Sequence, residues 1–423
     1  MNIKIQTSRH GLVAIIFLFI FVCADSKVMR AHRISDDAKF SLLTCTPGPD
    51  LYSLFGHSAI RYQDSSGTKW VDIVFNYGTF EFDDDFYVKF ARGKLDYMLS
   101  VQDFPNFQHE YIMTGRGIYE QTLNLSQEQK QILYDLLEEN YQPQNKTYRY
   151  DFFYDNCSTR IRDMIIRATS GVAPDNLGFR APDSSAISAM NRISFSYVYP
   201  REFTYRQAIQ KYLNFQPWSD FGIDLALGMP CDKKVIKGGY MFLPDSLMNE
   251  FHYAIIDDSP LVLVEEELLP QDYVPSVDTF FTPMMVMMIV LILHLISSFI
   301  SLRWSLLIQM SDRIILFSTG LLGLFVVFLW FFTDHNATKW NLNLLWANPF
   351  NLYLAFLSIN SLSNKMRKWI SIYFVILTLT LIGWFALPQR FNLAVIPLVL
   401  SLIFTSLKIL RPKVFLGSSR VIL

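Results

Sequence analysis

An excess of positive charge is missing from this sequence: 37 lysines and arginines stand against 38 aspartates and glutamates, for a net charge of −1. A chain so balanced has no field for gripping phosphate backbones, and neither a Gly-rich phosphate-cradling loop nor basic residues interleaved with aromatics occurs in it. Nucleic acid is therefore not an expected partner. His, Cys and acidic residues never fall at metal-ligand spacing, so no metal and no cofactor are expected. Internal repeats and low-complexity tracts are absent.

Cysteine is also scarce, with four in 423 residues. Residues 1 to 24 begin with Lys4, Arg9 and His10, run through the apolar segment Gly11 to Val22, and offer Val22-Cys23-Ala24 as a small-residue cleavage site, the pattern of a secretory signal peptide. Two other readings stay open. Cys23 could be a lipidated residue, although Val22 is bulky for that position, or the segment could stay on as an uncleaved anchor. Removing the signal leaves Cys45, Cys157 and Cys231, an odd number that cannot all pair in an oxidising compartment. At least one thiol is then free. A Cys45 to Cys231 bridge would leave Cys157 available, and burial of both as thiols is the alternative.

What is abundant is apolar residue content, 51% of the chain, concentrated beyond about residue 280. Apolar runs near 280 to 302, 314 to 332, 344 to 362, 369 to 387 and 391 to 410 each approach the ~20 residues needed to cross a hydrocarbon core. Five spans are expected. Arg303, Arg313, Lys365, Arg367, Lys368, Lys408, Arg411, Lys413 and Arg420 fall on one side of them, against Lys339 and Arg390 on the other. The positive-inside rule then puts residues 25 to 279 outside the cytoplasm, as the signal does independently. Tryptophans 304, 330, 340, 346, 369 and 384 sit near span ends, as interfacial anchors do. His294 falls inside the first span, where an ionisable group works or is partnered. The loop Asp334-His335-Asn336 and the run Asn341 to Pro349 are dense in hydrogen-bonding groups at headgroup depth, so His335, Asn341 and Asn343 are candidate lipid contacts, with a plain solvated loop as the alternative.

Strands are expected over Phe40 to Thr44, His57 to Tyr62 and Trp70 to Asn76, the last two joined by the turn Asp64-Ser65-Ser66-Gly67. With Ser65-Ser66 at the turn centre, position 57 opposes 74, and period-two alternation puts His57, Asp72, Val74 and Asn76 on one face. Asp72 or Asn76 could orient the imidazole. Ser126 caps a helix to Tyr141, with Gln129 at the capping-box position. Asn156 caps a second helix, Cys157 to about Thr169, in which Cys157, Ile161, Met164 and Ile165 share an inward face. Amide donors and the positive helix end beside Cys157 favour a thiolate and can hold an oxyanion, with Asn156 as cap and candidate donor. A nearby His57 could take and return the proton. The plain alternative is an inert buried cysteine. Residues 171 to 278 read as a helical extension with pieces at Tyr205 to Leu213, Trp218 to Leu227 and Asp245 to Ile256.

The runs LLTCTPG (Leu42 to Gly48), LYSLFGHSAIR (Leu51 to Arg61), FNYGTF (Phe75 to Phe80) and YDFFYDNCSTRIRD (Tyr150 to Asp163) together resemble the Lnb family of bacterial lipoprotein N-acyltransferases. Arg92 to Tyr97, Pro217 to Ala226 and the Asp334 to Pro349 loop continue the resemblance in the same order. It implies an α+β fold in which a circularly permuted papain-like domain of the NlpC type, similar to lecithin:retinol acyltransferase-like enzymes, fills residues 25 to 170 and precedes a helical transmembrane bundle at 279 to 423. His57 and Cys157 match that superfamily's His and Cys. Where the superfamily has a second polar residue on the next strand, no second histidine stands here, and Asp72 or Asn76 would replace it. The implied activity draws an acyl chain from a phospholipid donor through a Cys157 thioester to the α-amine of a diacylated lipoprotein, at the outer face of the bacterial inner membrane. A membrane-tethered cysteine peptidase or amidase, and a non-catalytic envelope assembly protein, are the rival expectations.

Overall fold

The computed structural model describes residues 33–65, 70–80, 84–170, 193–196, 203–236, 238–276, 280–300, 305–357 and 362–411. The signal segment, Cys23, Trp304, Arg303, Lys413 and Arg420 lie outside them.

A seven-stranded antiparallel sheet forms from β1 (Lys39–Cys45), β2 (His57–Asp64), β3 (Val71–Thr79), β4 (Asp96–Asp103), β5 (Ile118–Leu123), β6 (Thr147–Arg149) and, from further along the chain, β10 (Val262–Leu269), in the order β10-β5-β1-β2-β3-β4-β6. Strand alternation gives the sheet two apolar faces. Leu42, Ile60, Tyr62, Phe75 and Tyr77 pack against α3 (Gln127–Tyr141) and α4 (Cys157–Ser170). Leu43, Cys45, Ala59 and Val74 pack against Phe104, Phe107 and Tyr111 of α2 (Phe104–Met113). A short helix α1 (Phe86–Ala91) joins β3 to β4. Ser126 caps α3 through the capping box with Gln129, as its sequence spacing indicates. Helix α4 buries Ile161, Met164, Ile165 and Ala168 on the sheet, the three larger side chains contributing roughly 1.5 to 3 kcal/mol each, so its first residue is firmly placed.

The β2–β3 register differs from the one expected. Arg61 pairs with Val74 and Gln63 with Asp72, a slip of four residues from the 57-to-74 pairing. Asp64 does not belong to the turn. Its carboxylate is buried, accepting from the Ser35 hydroxyl at 2.5 Å and the Tyr62 hydroxyl at 2.7 Å, so β2 runs on through Asp64, and Ser66 and Gly67 of the expected turn lie outside the described residues. Because the slip is even, each side chain keeps its face.

Between the sheet and the apolar half lie α5 (Tyr205–Leu213), α6 (Pro217–Ala226), α7 (Pro244–His252) and a small three-stranded sheet of β7 (Ile193–Ser194), β8 (Ile255–Ile256) and β9 (Ser259–Pro260). The apolar half comprises α8 (Pro283–Ile300), α9 (Ser305–Phe331), α10 (Phe350–Phe356), α11 (Asn364–Ile382) and α12 (Ile396–Leu410). Two stretches, Met310–Phe331 and Leu393–Leu410, are long and apolar enough to cross a membrane, and Pro283–Ser298 is a shorter apolar helix. The expected span at 344 to 362 is not one continuous helix: a 3-10 turn at Leu342–Leu345 and the Asn348-Pro349 break leave seven helical residues in α10. Trp346 and Trp384 are core residues rather than interfacial anchors, and the Trp346 indole donates to Asn343 Oδ1 at 2.9 Å.

His294 is partnered. Its Nε2 lies 2.8 Å from Asp312 Oδ1, which also takes Lys408 Nζ at 2.6 Å and the Thr405 hydroxyl at 2.9 Å, so one buried carboxylate ties α8, α9 and α12 together.

Candidate functional site

A backbone turn and a side-chain contact bring β2 and α4 to one point. Gly56, at φ +77°, turns the chain into β2, and any side chain there would sit 2.7 Å from the Cys45 carbonyl oxygen, so only glycine fits. Ser58 and Ser158, both fully buried, then share a hydrogen bond at 3.0 Å across one hundred residues of sequence. With residues 58 and 158 locked together, 57 and 157 are brought side by side. The point where a side chain on Gly78 would begin lies 3.8 Å from Cys157 Cβ and 4.0 Å from His57 Cε1. The β3–β4 ladder shifts register between Tyr77 and Thr79, and the resulting bulge aims Gly78 at the pair.

The imidazole is oriented by Asn76, whose Oδ1 lies 2.6 Å from His57 Nε2. A carbonyl oxygen can only accept, so Nε2 carries the proton and Nδ1 is left to exchange one with the thiol. Asp72 does not share this role. It forms a bidentate pair with Arg61 at 2.6 and 2.7 Å, and it stands four residues from Asn76, about 13 Å along the strand. Arg61 claims it because the guanidinium is itself buried, stacked 3.5 Å over Phe104 and held by Glu120 as well.

Asn156 is the helix cap only. Its Oδ1 accepts from Thr159 N at 2.9 Å, its own N donates to Thr159 Oγ1 at 2.8 Å, and its Nδ2 donates to the Phe152 and Phe242 carbonyls at 2.8 Å each. With both amide protons committed, Asn156 has none for an oxyanion. The backbone N–H groups of Cys157 and Ser158, first in α4, take no hydrogen-bond partner among the described residues and point from the positive end of the helix.

The electrostatics separate the three described cysteines. All are free thiols, so the Cys45–Cys231 bridge does not form. Burial pushes Cys45 and Cys231 up to about 12, which keeps both protonated and inert. Burial pushes the Cys157 thiol up too, but the His57 charge, a hydrogen bond to the imidazole and hydrogen bonds from the Ser58 backbone and Ser158 outweigh it, so it titrates below the ordinary thiol range. His57 moves the opposite way: burial lowers it, and the Cys157 charge and hydrogen bond with the Asn76 contact raise it on balance. Opposite shifts in two facing groups mean that a thiolate at Cys157 and an imidazolium at His57 would each stabilise the other. Replacing Asn76 by alanine removes one support of the imidazolium. Alkylation of Cys157 by iodoacetamide is then expected to titrate at higher pH than in the unaltered protein. An unchanged alkylation profile contradicts the orienting role of Asn76.

The residues expected at headgroup depth are used differently. Asn341 and Asn343 are fully buried. Asn341 Nδ2 donates to the Leu225 and Ala226 carbonyls at 2.8 and 3.1 Å, and Asn343 Nδ2 to those of Asp224 and Leu225 at 3.2 Å each, so the two amides cap the end of α6. A lipid headgroup cannot reach them. His335 is half-buried and packs on the turn at Gly93, where an added side chain would meet its backbone N and Nδ1 at 3.1 Å. On either side of it Asp334 N donates to the Arg92 carbonyl at 2.9 Å and Asn336 Nδ2 to Asp151 Oδ2 at 3.3 Å, so this loop docks the apolar half onto the turn just before Cys157.

An α+β domain with a thiol–imidazole pair, carried on apolar helices, is the class these features define. Family models match in two places: residues 26–182 as the Lnb N-terminal periplasmic domain and residues 275–413 as the Lnb transmembrane domain. The chain belongs to the Lnb family, and it is a membrane protein with a periplasmic domain. No curated protein and no solved structure matches it.

The pair Ser58 and Ser158 went unread in the sequence, although each directly follows a proposed site residue. Gly78 had a signal in the FNYGTF run but no role until the bulge gave it one.

Proposed function

We propose that this protein is an N-acyltransferase of the bacterial inner membrane, moving an acyl chain from a phospholipid through a thioester on Cys157 to the α-amine of a diacylglyceryl-cysteine lipoprotein, with a permuted papain-like fold as its periplasmic domain. The observation that carries this reading is the Cys157–His57 pair at the start of α4, on a chain of the Lnb family that also holds membrane-length apolar helices.

The chemistry runs in two halves. The Cys157 thiolate attacks the ester carbonyl carbon, a carbon–sulfur bond forms, and the His57 imidazolium protonates the departing glycerol oxygen. The neutral imidazole then takes a proton from the incoming amine as that amine attacks the thioester, and the sulfur leaves as thiolate. Both substrates are held in one bilayer, so confinement supplies part of the proximity that two dissolved reactants would lack.

A lipid donor rather than a peptide is favoured by an apolar cavity of about 340 Å³ between α6 and α9, lined by Trp218, Phe221, Leu225, Leu322, Phe325 and Trp346 among others. Gly222, itself exposed, also lines it, and a Cβ added there meets nothing within 4 Å. Gly222→Phe is therefore expected to obstruct the open side of the cavity and to slow transfer from long-chain phospholipids by about tenfold or more. Transfer from short-chain donors and Cys157 alkylation stay unchanged. Equal loss for both chain lengths contradicts an acyl chain in this cavity.

The direct test is mass spectrometry of lipoprotein N-termini in cells with and without the protein. N-acylation that persists without it, in a cell with no paralogue, removes the proposed activity.

A further inference from the structure

Tyr148 is a buried phenol with nothing to bond. It stands on β6, 7% exposed, and its hydroxyl has no hydrogen-bond partner among the described residues. Leaving such a group unpaired costs roughly 1 to 3 kcal/mol, which a purely structural tyrosine avoids by being phenylalanine. The hydroxyl lies 4.0 Å from the point above Gly78 that also lies 3.8 Å from Cys157 Cβ and 4.0 Å from His57 Cε1. The Cys157 β-carbon that bears the thiol, the imidazole and the phenol thus border one spot, and glycine at 78 keeps that spot free of a side chain. The ring is held rigidly. The Arg160 guanidinium stacks 3.5 Å over it and is fixed by a bidentate pair with Asp155 at 2.6 and 2.9 Å. Burial pushes the phenol well above its ordinary range, and the Arg160 charge only partly offsets this, so the oxygen keeps its proton.

We propose that the Tyr148 hydroxyl is the side-chain donor of the oxyanion hole, completing a site whose other donors are the backbone N–H groups of Cys157 and Ser158. The inference rests on acyl transfer at Cys157 and adds to it the group that receives the developing charge. As the thiolate forms its bond to the carbonyl carbon, the carbonyl π electrons move onto oxygen, and that oxygen accepts hydrogen bonds from Tyr148 Oη and the two amides. No proton leaves the phenol. When the tetrahedral intermediate collapses, the electrons return to the carbonyl, and the glycerol oxygen departs with the proton from His57. In the second half the same donors hold the oxyanion while the amine displaces sulfur. A preorganised donor of this kind is worth about 10²-fold or more in rate, because it costs no solvent rearrangement at the moment of reaction.

Tyr148→Phe in the full-length protein in detergent tests this. Two rates are measured: acylation of Cys157 by p-nitrophenyl butyrate, and alkylation of Cys157 by iodoacetamide across pH. Alkylation forms no oxyanion, so it reports the fold and the thiolate alone. The expected result is acylation slowed about 10²-fold with alkylation unchanged. Acylation at the original rate overturns the proposal, and so does an equal fall in both rates, which would make Tyr148 a positioning residue for the thiol. An unaltered protein that the ester fails to acylate overturns it as well, since an oxyanion hole serves any acyl donor. A selective acylation defect in a protein that never transfers acyl chains from phospholipid to a lipoprotein peptide upholds the role of Tyr148 and instead sinks the proposed lipid reaction.

Discussion

Cys157→Ala is expected to abolish N-acylation of a reporter lipoprotein, a loss of at least about 10⁴-fold, while the protein still folds and inserts. The Cys157 side chain is partly buried against the core at the start of α4, whose packing is carried mainly by Ile161, Met164, Ile165 and Ala168. Its removal deletes the only described thiol whose titration is lowered, since Cys45 and Cys231 are both pushed up to about 12 by burial. Neither can substitute as nucleophile. Cys157→Ser should be equally silent, because a hydroxyl beside His57 stays protonated where the thiol ionises. The readout is mass spectrometry of the reporter N-terminus, with thermal unfolding as the control for folding. Retained N-acylation in Cys157→Ala would leave the protein as an envelope assembly factor.

Arg206→Met is expected to destabilise the junction between the two halves by about 3 to 5 kcal/mol. Arg206 is fully buried, and every nitrogen of its guanidinium is used: Nη1 donates to Asp224 at 2.7 Å, Nε and Nη2 to Asp232 at 3.0 Å each, and Nη2 also to the Leu227 carbonyl at 3.1 Å. The same carboxylates reach into the membrane half, where Asp232 accepts from the Arg390 N–H at 3.2 Å and Asp224 from Asn392 at 3.2 Å. Methionine fills similar volume and strands both acids without a counter-charge. Space next to this network is tight as well: a side chain on Gly228 would sit 1.9 Å from the Lys339 carbonyl oxygen, and Gly228 N donates to the Ala337 carbonyl at 2.8 Å. Thermal unfolding in detergent and limited proteolysis near residues 227 to 232 measure the effect. An unchanged unfolding temperature contradicts the assignment of Arg206 as the joint.

How much of this could be read from residues alone depended on the range of the interaction. Local signals sufficed for α3, where Ser126 and Gln129 lie three residues apart, and for α4, where Asn156 adjoins the helix it caps. The His57–Asn76 contact was legible by parity: the register differs from the expected one by four residues, and an even slip preserves the face. Asp72 was a poor candidate for a reason no pattern of alternation contains, since its partner Arg61 is fixed by a third residue, Glu120, from a different strand. Asn341 and Asn343 illustrate the same limit. A polar run at a span end looks alike whether it meets lipid headgroups or helix-end carbonyls, and the carbonyls in question lie more than a hundred residues away. Tyr148 carries no local signal, because its meaning comes from an absent hydrogen bond and an absent side chain at Gly78.

Intact-protein mass spectrometry after incubation with phospholipid, with no acceptor present, asks whether the sulfur at the head of α4 takes up an acyl chain. The expected spectrum shows one added acyl group, localised to Cys157, lost on adding a diacylglyceryl-cysteine peptide and missing in Cys157→Ala. A protein that stays unacylated, or carries the chain on another residue while N-acylation proceeds, contradicts a thioester at Cys157.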